Sequence, residues 1–192
     1  MQYGIISITD TASGKHADIY ADSTNMKLLN ETISIPEDIV VDTVNFDRNF
    51  ITDVSSTVAL PFAINTANIT GVGAICEYDG IGSNAPLLKT IYATHDYAVA
   101  HNFDKTDYEH ITLTAYKPYI FYTTAAKLNF TGQVTFIKTR TANISKNGWV
   151  MMSTLHQIQW RIDDMAYDFA YGFSAVPAPE SDIKTGDLVR CR

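Results

Sequence analysis

The chain has 192 residues, enough for one domain with its own buried core and no need of disulfide staples. Its 14 basic and 21 acidic residues leave a net charge of −7, the wrong sign for gripping phosphate backbones or an anionic lipid surface, so neither nucleic acid nor such a membrane is expected as a partner. Apolar residues make up 46% of the chain, yet no run approaches the roughly 18 needed to span a bilayer.

Met1-Gln2-Tyr3-Gly4 lacks the basic region and long apolar run of a secretory signal. That alone does not fix location, because a piece of an exported protein or a virion component would begin the same way. Tyr3–Ile8 alternates weakly, Ala17–Tyr20 is a second short strand, and Asp22–Glu31 reads as a polar loop. Residues 1–32 are thus expected as N-terminal strands plus a loop, ahead of one main unit over 33–192.

Ile33-Ser34-Ile35-Pro36 opens that unit and leads into the strand Val41–Phe46. Val44, Phe46 and Phe50 share one face, and Arg48 alone interrupts the series. After the polar stretch Thr52–Ser56, residues Val58, Leu60 and Phe62 again fall two apart, with Pro61 tolerable only at a sheet margin or bulge. Ala74–Tyr78 is a strand closed by the turn Asp79-Gly80, and Leu87–Tyr92 is extended. Ile111–Tyr116 alternates, and Pro118 redirects the chain into Tyr119–Tyr122. Leu128–Phe130 and Val134–Lys138 flank Thr131-Gly132-Gln133 as a hairpin.

Further on, Gly148 introduces a strand over Trp149–Thr154, with Trp149 as a core plug, and Ala170–Ser174 is a late strand. Leu155, Ile158, Ile162 and Met165 fall at helical spacing, so Thr154–Ala166 is either a loop or a short helix. Around ten short strands and little helix predict an all-β fold, an antiparallel, jelly-roll-like β-sandwich.

Chemistry-bearing residues are sparse. His95, Asp96, His101, Asp104, Asp107, Glu109 and His110 crowd one stretch, and His95, His101 and His110 could ligate a divalent ion. Their spacing fits no compact ligand template, and a polar loop accounts for them as well. Gly80-Ile81-Gly82-Ser83-Asn84-Ala85 echoes a dinucleotide loop, but no helix is expected after it, so a turn is the better assignment. Asp163-Asp164 is a weak calcium candidate, and the four Asn-x-Ser/Thr sites at Asn30, Asn68, Asn129 and Asn143 matter only in a eukaryotic secretory pathway. Cys76 and Cys191 form no disulfide framework. Tyr92, Tyr97, Tyr108, Tyr116, Tyr119 and Tyr122 lie within one stretch, either as ordinary strand tyrosines or as a surface for sugars or protein contacts. No catalytic signature and no cofactor is expected.

The segments Ser34–Phe50, Ser56–Ile64, Leu113–Phe121, Gly148–Trp160 and Tyr171–Ala175 together resemble a β-sandwich module repeated in large surface proteins of Bacteroidetes and Fibrobacter-type bacteria. The resemblance covers roughly residues 30 to 192 and implies a non-enzymatic module for adhesion or assembly at a cell surface. The family pattern continues past Asp187–Arg190, so a stop at Arg192 predicts an open strand edge able to pair with another chain or a second copy. A virion component of a phage of such hosts, a head decoration or fibre protein, is the alternative, and a carbohydrate-binding module is the next.

Overall fold

The computed structural model describes residues 1–21, 34–81 and 86–139, together with the backbones of four later short strands. The expected polar loop over Asp22–Glu31, the loop or short helix over Thr154–Ala166, Trp160, Asp163-Asp164 and Cys191 lie outside the described residues. Trp149 is described only as backbone.

The fold is all-β. Strands β1 (Gln2–Tyr3), β2 (Ile6–Thr11), β3 (Gly14–Tyr20) and β5 (Thr43–Asp47) form an N-terminal sheet in the order β1-β2-β3-β5. The β3–β5 pairing is parallel, with Ala17 beside Val44 and Ile19 beside Phe46. Residues before the loop therefore share a core with those after it: Ile6, Ile8, Ala17 and Ile19 join Phe46, Phe62 and Phe121 in one buried cluster.

A second, central sheet is antiparallel throughout, in the order β10-β9-β12-β6. It comprises β6 (Ser56–Val58), β9 (Val72–Ile81), β10 (Pro86–Ala93) and β12 (Tyr119–Thr123). The remaining strands pair in twos: β7 (Ile64–Asn65) with β11 (Thr112–Leu113), β8 (Ile69–Thr70) with β13 (Asn129–Phe130), and β4 (Ile39–Val41) with β14 (Val134–Phe136). Two further antiparallel pairs follow, β15 (Ile144–Lys146) with β16 (Trp149–Met151) and β17 (Tyr171–Phe173) with β18 (Leu188–Arg190).

Several expected strands are cut short because the chain changes sheets. The run Val41–Phe46 breaks at Asp42, where β4 has left β14 and β5 is about to join β3. Asp42 bridges the gap: its N–H donates to Lys15 O at 2.8 Å, and its carboxylate accepts Lys15 N–H at 2.8 Å and Gln133 Nε2 at 2.8 Å. Those hydrogen bonds, the Gln133 one foremost, hold the Asp42 carboxyl below the usual carboxylate range. Gly14 is required beside it, since a Cβ there would lie 2.1 Å from Asp42 Oδ2 and the residue's φ is +119°.

The segment Leu60-Pro61-Phe62 is not strand either. It carries the chain from the central sheet to β14, with Leu60 O and Pro61 O accepting from Tyr116 N–H and Ile137 N–H and Phe62 bridging Phe136. Proline suits this corner, where its carbonyl is used and its missing donor is not needed. The expected hairpin at Thr131-Gly132-Gln133 is a correction of the same kind. β13 pairs with β8 and β14 with β4, so the two flanking strands part company. The Thr131 N–H to Asn68 O bond and the left-handed Gly132, φ +82°, turn the chain between them.

Candidate functional site

The expected loop from Tyr92 to Ile111 opens instead with a helix, α1 (His95–Ala100). Thr94 caps it: its hydroxyl accepts from Tyr97 N–H, and Asp96 lies in the first turn. The helix packs on β9 through one close approach. The Tyr97 ring fills the space that a Cβ at Gly73 would need, 2.2 Å from the nearest ring atom. Tyr97 then stacks on His101 with centroids 4.0 Å apart and meets Phe103 edge-on at 6.0 Å. Burial first, and the nearby Asp53 charge second, push the Tyr97 phenol well above its ordinary value.

The three histidines find separate partners. His95 Nδ1 lies 3.2 Å from Asp107, His101 Nε2 lies 3.6 Å from Asp53, and His110 Nδ1 lies 3.1 Å from the Thr66 hydroxyl. His110 also stacks on Tyr92. Among the described residues, no group of three or more His, Cys, Asp or Glu side chains converges on a point where a metal could sit. Asp53 is held in the left-handed region, φ 60°, with its N–H on Thr123 O, so its carboxylate is aimed by the backbone. Both members of the Asp53–His101 pair are substantially exposed, which leaves it screened and weak as a source of stability.

The six tyrosines do not make one surface. Tyr92, Tyr97 and Tyr119 are buried, while Tyr108, Tyr116 and Tyr122 are half-buried. Tyr119 OH accepts from Thr114 N–H at 2.9 Å, Tyr116 OH donates to Ile137 O at 2.8 Å, and Lys105 sits over Tyr108. Alternation along Ile111–Tyr116 predicts Tyr116 opposite the apolar face. The turn that places Tyr116 at φ 61° folds its phenol back onto the protein instead.

What does reach solvent is strand edge. Among the described residues β10 pairs with β9 alone, so the outer side of this eight-residue strand is unpaired. Leu87 on it is 48% exposed, and Lys89 is its one charged residue. Two bulges shape it, one where Asp79-Gly80 oppose Leu87 and one at Ile91. The Asp79-Gly80 pair is therefore a bulge inside β9, not the turn expected there. A strand, not a helix, follows residues 82–85, so the glycine-rich segment lacks the geometry of a dinucleotide site.

The opposite edge, β6, is treated differently. Arg48 Nη1 donates to Thr57 O at 2.9 Å, and the guanidinium lies over Phe50 at 4.8 Å. Sequence pattern hides both features, except that Arg48 breaks an apolar series. Compared with protein-family models, curated proteins and solved structures, the chain matches none.

Proposed function

We propose that this chain is a non-enzymatic assembly or adhesion module that works through contacts between protein chains. The observation that carries the reading is the β10 edge: eight residues long, paired on one side among the described residues, apolar at Leu87 and with a single charge. Such an edge offers a row of backbone donors and acceptors to a further strand; natural proteins blunt unused edges with charge, proline or bulges, and β10, with one Lys and two bulges, is blunted only in part. The only proline of β10 is at its first position, where it leaves the rest of the row intact. On this reading the two larger sheets are the layers of a sandwich, and the setting is extracellular, either a cell surface or a virion.

The test is the molar mass of the 192-residue chain by light scattering across a concentration series, alongside Leu87→Lys. Mass that rises to a closed oligomer, and that falls back in the variant, is the expected result. A monomer at every concentration, with no partner strand protecting β10 amides from exchange, removes the reading.

A further inference from the structure

We draw no further inference here: the strongest candidate, the side-chain cluster of His16, Asp18, Thr43 and Asn45 on the outer face of the N-terminal sheet, has its members hydrogen-bonded to one another across β3 and β5, and nothing in the structure shows what covers it.

Discussion

The two edges of the central sheet solve one physical problem in opposite ways. At β6 the chain spends its own arginine on the exposed backbone, with Arg48 donating to Thr57 O and packing on Phe50. At β10 the backbone carries no such cap among the described residues; bulges twist the strand, but Leu87 still faces water. The difference teaches where this molecule is closed and where it is open. An edge satisfied by a side chain ends the sheet, whereas an edge left bare continues it into whatever strand arrives.

The most drastic way to break the comparison is to remove the strand between the edges. Phe121 on β12 is fully buried, and Phe121→Ala should cost about 3–5 kcal/mol through the cavity it leaves, lowering the chemical-denaturation midpoint and loosening both edges together. Gly73→Ala comes next. Its methyl group collides with the Tyr97 ring, so α1 must lift, at a cost of about 1–3 kcal/mol. Amide exchange should then quicken near α1 and β10 while β6 is spared. Arg48→Met uncaps β6 and should cost about 1 kcal/mol, with new concentration-dependent association if the cap is what closes that edge. Leu87→Lys should change stability by less than about 0.5 kcal/mol, and on the proposed assembly function it should lower the molar mass measured by light scattering at high concentration.

Alkaline pH gives the gentlest probe. Burial, then the Asp53 charge, raises the Tyr97 phenol above 10.0, and burial moves Tyr78 and Tyr92 the same way. A folded state that holds protons the unfolded chain releases is fully stable below about pH 10 and loses stability as pH rises beyond it. Burial raises the Tyr122 phenol on β12 as well, and it packs against the Tyr97 cluster, so the side formed by β9, β10, α1 and the adjoining face of β12 should open first. Tyr97→Phe should flatten the alkaline limb of a stability–pH curve.

Strand faces were the most legible part of this molecule. Phe46, Val58 and Phe62 are buried where alternation puts them, because period two is a local property of the backbone. Pairing is not local, and there the pattern misleads. Nothing in Thr131-Gly132-Gln133 says that its flanking strands bond to β8 and β4, since that is decided by residues about sixty and ninety positions earlier. Helix α1 did carry a signal, Thr94 as cap and Asp96 in the first turn, drowned by the density of histidine and acid around it. The histidines and tyrosines drew notice by residue type, yet type does not specify partners: Tyr92, Tyr97 and Tyr119 went into packing. Arg48 was visible only as an interruption, and its place at a sheet edge depends on β6 pairing with β12, which no short window contains.

The pairing of β4 with β14 bears on how the molecule is made. Ile35 N–H bonds the Thr139 hydroxyl across 104 positions, and Val41 faces Val134. During synthesis the first strands emerge long before their partners, so β4 waits unpaired while about a hundred further residues are joined. Long-range pairing of this sort slows folding. For that interval the nascent chain exposes many bare strands, and the mature β10 edge is a remnant of a state in which every strand was an edge.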